Sequence, residues 1–321
     1  MKSIYLAAAS ALVLAGTAYA GNASYPANPV KVIVGFSAGG PTDVVARAFA
    51  NFASQQAGQS FIVENKPGAN STIAAQYVSQ EKPDGYTLLL AATNLTTTPA
   101  LYGKRIKFDV EKSFAPICAF AKSPTVLVVG PSLPVNSLRD VIARAKKNPG
   151  KYSVASPGVG SSGHFAMAKF EEITGTKFNH IPYNGAAPAI TALMGGQVDM
   201  SFATLGSVLS QLKSGKLKVV AVASAKRLKS LPKVPTFAEE GIKNYSEDAW
   251  YGLLAPAGAP PAVLSTLEKY ARGFQADAQM RQKLDTLGLQ PDATCGANFA
   301  AEIKQEVSTY SGVARKLGLK N

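Results

Sequence analysis

Residues 25–52, YPANPVKVIVGFSAGGPTDVVARAFANF, decide the fold class of this chain. Val30, Val32, Ile33, Val34 and Phe36 form a nearly continuous β-branched apolar run, the pattern of a strand covered on both faces in an α/β sheet. Ser37–Gly40 read as a turn. Pro41 suits the first helical position, where a missing N–H costs nothing, and Asp43 suits the positive end of the helix. Val44, Val45, Ala48, Phe49 and Phe52 then recur at helical spacing. A glycine turn leading from a strand into a helix bares peptide N–H groups, so the expectation is an anion site, specifically one for a carboxylate. The turn lacks G-x-G-x-x-G and has no Gly-Lys-Ser/Thr, which excludes the usual nucleotide loops. Gly35-Phe36-Ser37-Ala38-Gly39 does match the G-x-S-x-G nucleophile elbow, so a secreted esterase using Ser37 is the alternative reading. Its weakness is position: the elbow falls on the first strand, with no upstream strands, and the sequence offers only His164 and His180 as bases.

Further along, Phe61–Asn65 and Tyr86–Leu90 read as strands with a helix over 70–80 between them, where Ile73, Ala74 and Tyr77 face inward. Thr93 and Asn94 mark a polar strand exit beside the first turn. Strands alternating with helices at this spacing imply a parallel sheet with right-handed crossovers. Val126–Val129 is another buried strand, and a helix over 137–147 leads to Tyr152–Ala155. Then the opening logic recurs: Ser156-Pro157-Gly158-Val159-Gly160-Ser161-Ser162-Gly163-His164 is a second glycine turn before a helical run. Tyr183-Asn184-Gly185-Ala186-Ala187-Pro188 is a third polar turn. Two glycine turns on successive α/β units are what two lobes need to grip a small molecule between facing helix ends. Val198–Phe202, Lys218–Ala223 and a return strand over Trp250–Ala255 complete the sheets, with helices over 207–213, 262–274 and 297–317.

The first twenty residues, MKSIYLAAASALVLAGTAYA, have an early lysine, an apolar stretch and a small-residue ending, the signature of a secretory leader cut after Ala20. Export to the periplasm is the expectation. The formal charge is +13 over 321 residues, with Lys and Arg scattered rather than interleaved with aromatics. A solvated basic surface is therefore expected, not a nucleic-acid site. Cys118 and Cys295 could form a disulfide in an oxidising compartment or remain two buried thiols; spacing alone leaves both open. Neither carries a catalytic or metal signature, and no cofactor or metal motif is present.

Four stretches in order, YPANPVKVIVGFSAGGPTDVVAR, SPGVGSSGHFAMAKF, IPYNGAAPAITALMGGQVDM and LKVVAVASAKRLKSLPKVPTFAEEGI, resemble the periplasmic solute receptors of tripartite tricarboxylate transporters, the Bug receptors. The resemblance implies a two-lobed flytrap, each lobe a mainly parallel sheet flanked by helices. It divides as 1–20 leader, 21–122 plus 248–321 one lobe, and 123–247 the other. It implies no enzyme activity and no cofactor. The implied partners are a small organic di- or tricarboxylate and an inner-membrane permease. A sensor kinase is a further candidate partner, and the expected state is a monomer. Carried onto this chain, the first ligand loop is Phe36, Ser37, Ala38, Gly39, Gly40, Thr42 and Asp43, with Thr93 and Asn94 beside it. The second comprises Ser156, Gly158, Gly160, Ser161, Ser162 and His164, with Tyr183, Asn184, Gly185 and Ala186 adjacent; Phe202 and Thr204 complete the set. The resemblance further implies a carboxylate held mainly by peptide N–H groups and waters. Two departures stand out: Ser37 replaces the family's usual proline, and Lys169 stands near a usual acidic residue. Four residues have plain structural readings as well: Asp43 as a first-turn stabiliser, His164 as a loop lock, Asp199 as a cap, and Trp250 with Tyr251 as core.

Overall fold

The computed structural model describes residues 25–243, 245, 247–316 and 318–319, so the leader read over 1–20 lies outside the described residues. In chain order the elements are β1 (Val30–Val34), α1 (Pro41–Ala57), β2 (Phe61–Asn65), α2 (Thr72–Ser79), β3 (Thr87–Ala92), α3 (Asn94–Tyr102) and β4 (Phe114–Val129). There follow α4 (Leu138–Lys147), β5 (Ser153–Ser156), α5 (Ser162–Thr174), β6 (Asn179–Pro182), α6 (Ala186–Met194), β7 (Met200–Thr204), α7 (Leu205–Leu212) and β8 (Lys218–Val222). The chain ends with β9 (Asp248–Pro256), α8 (Pro261–Ala276), α9 (Ala278–Thr286), β10 (Gln290–Pro291) and α10 (Gly296–Lys316).

Strand β4 belongs to two sheets. From Phe114 to Pro124 it pairs antiparallel with β9, and from Thr125 to Val129 it pairs with β7 and β8. One lobe carries the parallel set β2-β1-β3 extended by β9 and β4; the other carries β7-β5-β6, also parallel, on the far half of β4. The chain crosses between lobes on β4 and returns before β9.

The continuous apolar strands have their predicted cause: both faces are covered. Val32, Val34, Leu88 and Leu90 pack toward Phe49, Phe120 and Phe274, while Ile33 and Leu89 pack toward Trp250 and Phe299 on the opposite face. In the second lobe Leu127, Phe170, Phe202 and Phe237 fill one side and Ile190, Leu193 and Val208 the other. Among the described residues no helix is long and apolar enough to cross a membrane.

Three local expectations need correction. The helix read over 70–80 begins only at Thr72, because Ala69, Asn70 and Ser71 all have positive φ. This left-handed turn presses Ser71 against β1, where a Cβ on Gly35 would lie 1.7 Å from Ser71 Oγ, and it leaves Ile73 53 % exposed rather than inward. Second, the strand read at Val126–Val129 is the end of the much longer β4, whose first half is masked in sequence by Pro116, Lys122 and Pro124. Third, α3 and α9 have no counterpart in the sequence reading. α3, NLTTTPALY, is rich in threonine and carries Pro99, so it lacks an apolar helical stripe.

Cys118 and Cys295 are joined in a disulfide that ties the middle of β4 to the residue preceding α10. The bridge closes a loop with a sequence separation of 177. Its removal by a Cys118→Ala/Cys295→Ala double substitution is expected to lower unfolding stability by about 2–4 kcal/mol. Urea denaturation of the oxidised protein against the double variant measures this difference.

Candidate functional site

Five strands, β1, β3, β5, β6 and β7, each run directly into a helix, and the N-termini of those helices meet at one cavity between the lobes. Gly40, Pro41 and Thr42 come from the start of α1, Thr93 and Asn94 from that of α3, Ser161 and Ser162 from that of α5, Ala186 from α6, and Thr204 from the end of β7, where it precedes α7. The remaining walls are Phe36, Ala92, Pro157, Ala249 and Tyr251. The cavity measures about 40 Å³, room for roughly three water molecules. No lining residue is Lys, Arg, His, Asp or Glu.

The first turns of these helices are left open by their own sequence. At α1, α3, α6 and α7 no side chain caps the helix, and Pro41 contributes no N–H. The first N–H groups of a helix lack intrahelical partners, and each end carries positive partial charge. Only α5 is capped in part, by Ser161 Oγ accepting from His164 N. The result is a small chamber of peptide donors with apolar walls and no cationic side chain.

The lobes touch around this chamber. Asn184 O accepts from Ser37 N at 3.1 Å and from Ser37 Oγ at 2.8 Å. Thr97 Oγ1 donates to Gly160 O at 2.6 Å, and Tyr251 OH donates to Thr204 Oγ1 at 3.3 Å. A Cβ on Gly39 would lie 3.9 Å from Ala187 Cβ, and one on Gly185 would lie 3.2 Å from Ser37 N. Thus the Ser37 hydroxyl is used to clasp the opposite lobe.

Other expected residues stand behind the cavity and shape it. Asp43 accepts from Gly39 N at 2.9 Å and from Asn65 Nδ2, and pairs with Arg47 at 2.9 Å. Burial pushes its carboxyl up, but the bonds from Arg47, Gly39 and Asn65 outweigh this and hold it below its ordinary value. His164 accepts from Gly160 N through Nδ1 at 3.0 Å and stacks on His180 at a centroid distance of 4.3 Å. His164 is therefore a loop lock, acting as an acceptor. Ser156 Oγ accepts from Gly158 N and bonds His180 Nε2 at 2.7 Å. Burial, with the neighbouring His180, lowers His164 to about 3, and burial lowers His180 to about 4.

Several expectations move. Phe202 is fully buried against Phe170 and Phe237 and does not line the cavity. It lies inside β7, while Thr204, two residues on at the end of the same face, reaches the cavity. Ala38 is exposed outside the chamber, and Tyr183 packs half-buried on the second lobe's core. Asp199 accepts from Ser132 and Ser153, a structural role. Lys169 pairs with Glu247 at 3.0 Å where the chain recrosses, away from the cavity lining. Trp250 is core, donating Nε1 to Glu306, but Tyr251 belongs to the cavity. Ala249 and Tyr251 arrive with the returning strand from far along the chain, and no local motif marks them. The nucleophile-elbow reading also falls. Ser37 Oγ bonds a peptide carbonyl, and both histidines are held in the second lobe by Gly160 and Ser156.

A two-lobed α/β binding protein is the class this arrangement defines, with an uncharged, donor-rich chamber where the lobes meet. The family model for "Tripartite tricarboxylate transporter family receptor" matches residues 45–319. The chain belongs to that family, which is one of solute-binding receptors and not of enzymes. Among solved structures it resembles the periplasmic binding protein BugD, with TM-score 0.89 and 35 % identity over 92 % of this chain and 100 % of that one. It also resembles R. palustris Rpa4515 with adipate, at TM-score 0.88 and 31 % identity over 92 % and 98 %. A third likeness is MatC from Rhodopseudomonas palustris with bound malate, at TM-score 0.85 and 28 % identity over 90 % and 99 %.

Two outcomes follow from this geometry. A Cβ on Gly160, where φ is +87°, would lie 2.2 Å from Leu101 Cδ1 in the facing lobe. Gly160→Ala is expected to hold the lobes apart, seen as a larger radius of gyration in small-angle scattering. The second concerns pH. Both histidines have folded values below 6.5, so the unfolded chain binds more protons and stability falls as pH drops below about 6.5. The expected slope is at most about 1.4 kcal/mol per pH unit for each histidine. His164→Asn keeps an acceptor for Gly160 N–H but cannot be protonated, and should flatten the slope in melts at pH 4–7.

Proposed function

We propose that this protein is a periplasmic receptor that captures a small organic carboxylate between its lobes and delivers it to an inner-membrane permease of the tripartite tricarboxylate type. The single observation behind the reading is the convergence of five helix N-termini on one uncharged cavity. Residues Phe36, Gly40, Thr42, Thr93, Asn94, Ser161, Ser162, Ala186 and Thr204 form the binding surface, with Ser37 and Asn184 closing it. The lobes are 21–122 plus 248–321 and 123–247, hinged where β4 changes sheets between Pro124 and Thr125. The working state is a monomer, and the closed form is what the permease recognises; a sensor kinase is a second recipient of the same signal.

Adipate and malate, bound by two of the resembling proteins, set the ligand class. The energetics are sufficient without a cationic side chain. Micromolar binding needs about 8 kcal/mol; hydrogen bonds to a charged group contribute about 1.5–3 kcal/mol each, and a partly buried helix end up to about 2 kcal/mol. Three or four bonds with two such ends exceed the requirement and leave a margin for association.

The test is differential scanning fluorimetry of the purified protein with adipate, malate, succinate, citrate and an aromatic dicarboxylate. A bound ligand at 100 times its Kd adds about 2.7 kcal/mol, which for a protein of this size raises Tm by roughly 4 °C. No shift with any carboxylate, together with no anion co-purifying in native mass spectrometry, would overturn the proposal.

A further inference from the structure

Asn94 is the first residue of α3, is 4 % exposed, and lines the cavity between the lobes. Its amide orientation is fixed: Nδ2 donates to Asn70 O at 2.7 Å. Turning the amide over would set oxygen against oxygen and lose that bond, so the network settles which end is which. Asn70 is itself held in place by the left-handed run Ala69, Asn70, Ser71, with φ 46°, 52° and 71°. Strained backbone of this kind persists where its surroundings over-determine it, commonly beside a binding site. Here it directs a peptide carbonyl onto the Asn94 amide.

That arrangement leaves Asn94 Oδ1 buried and, among the described residues, without a hydrogen-bond partner. Three of its neighbours at the cavity have bonds within the protein. Thr93 Oγ1 accepts from Trp250 N, Ser161 Oγ from His164 N, and Thr204 Oγ1 bonds Ser207 Oγ and Tyr251 OH. Oδ1 is an acceptor with no proton to give. A carboxylate oxygen is repelled by it and a methylene offers it nothing. A hydroxyl or an ammonium group satisfies it, and five positively polarised helix ends disfavour the ammonium. Leaving a buried acceptor unpaired is penalised more than an ordinary hydrogen bond gains, so such a site discriminates strongly against a ligand that lacks the donor.

We infer that Asn94 is a specificity-determining residue that accepts a hydrogen bond from a hydroxyl on the ligand, so that the cleft prefers hydroxy-substituted carboxylates to their unsubstituted counterparts. The inference rests on the carboxylate reading above and narrows its ligand class.

Isothermal titration calorimetry with two matched pairs, malate against succinate and 2-hydroxyglutarate against glutarate, provides the test. In the native protein the hydroxy acid of at least one pair is expected to bind roughly tenfold tighter. In Asn94→Ala and in Asn94→Gln that ratio should collapse to within about twofold. Thermal melts of the unliganded variants separate loss of recognition from loss of fold. Equal or reversed preference in the native protein overturns the inference, and so does a preference that survives both substitutions. If none of the four acids binds while another carboxylate does, the inference falls and the carboxylate reading stands. If no carboxylate binds at all, both fall together.

Discussion

Bringing several helix N-termini into one small space is electrostatically unfavourable unless negative charge sits among them, and this constraint governs the rest of the molecule. Each end carries roughly half a positive charge; two come from one lobe and three from the other. Closing the lobes therefore gathers roughly +2.5 of partial charge at a site with apolar walls, where the field is screened far less than at an exposed surface. An anion of one or two charges relieves that repulsion at the contact between the lobes. The ligand thus acts as the material that lets two like-charged surfaces meet. This explains how a cleft without Arg or Lys can select carboxylates, and why its walls can remain aliphatic.

A donor chamber works only if its loops hold their shape before the ligand arrives. Asp43 and His164 provide parallel solutions, one in each lobe. Each accepts from a glycine N–H four residues earlier, Gly39 and Gly160 respectively. Those two peptide groups are thereby removed from the ligand's reach and the turns are fixed, which lowers the ordering cost of binding. The two braces demand opposite electrostatics. Asp43 must stay ionised, and bonds from Arg47 and Asn65 secure that against burial. His164 must stay neutral, because only an unprotonated Nδ1 can accept, and burial beside His180 secures that. A protonated His164 would add a cation to the rear of a loop that already carries positive helix ends.

Much of this was legible in the chain. The strand–glycine–helix units at Val30–Phe52 and Tyr152–Phe170 identified the parallel sheets, and their recurrence pointed to two lobes facing one ligand. Their turn residues do reach the cavity in large part, because a βα turn at the carboxyl end of a strand has few other places to go. What sequence could not show is contact made by chain return. Ala249 and Tyr251 enter the floor on β9, some two hundred residues after the first turn, and their own pattern is that of any buried strand. Phe202 illustrates the opposite error. It shares a face of β7 with Thr204 but lies two residues deeper, where that face packs on Phe170 and Phe237, and only the last residue of the strand reaches the cavity. The start of α2 was misread because left-handed φ at three non-glycine residues has no compositional signal.

The continuity of β4 through both sheets limits how the lobes can part. An uninterrupted strand resists stretching and shear but can twist where its partners change, and here they change between Pro124 and Thr125. Proline lacks an N–H, so the strand loses a ladder donor at that point. Ser123 binds both lobes nearby, its Oγ accepting from Gly206 N and donating to Gly288 O, so the pivot is narrow. Opening about it must break the clasps at Ser37–Asn184, Thr97–Gly160 and Tyr251–Thr204. Neutral hydrogen bonds of this kind are worth about 0.5–1.5 kcal/mol each after exchange with water, so the clasps together amount to only a few kcal/mol. Repulsion among the helix ends opposes them, so an anion that binds only where the ends converge shifts the balance toward the closed form.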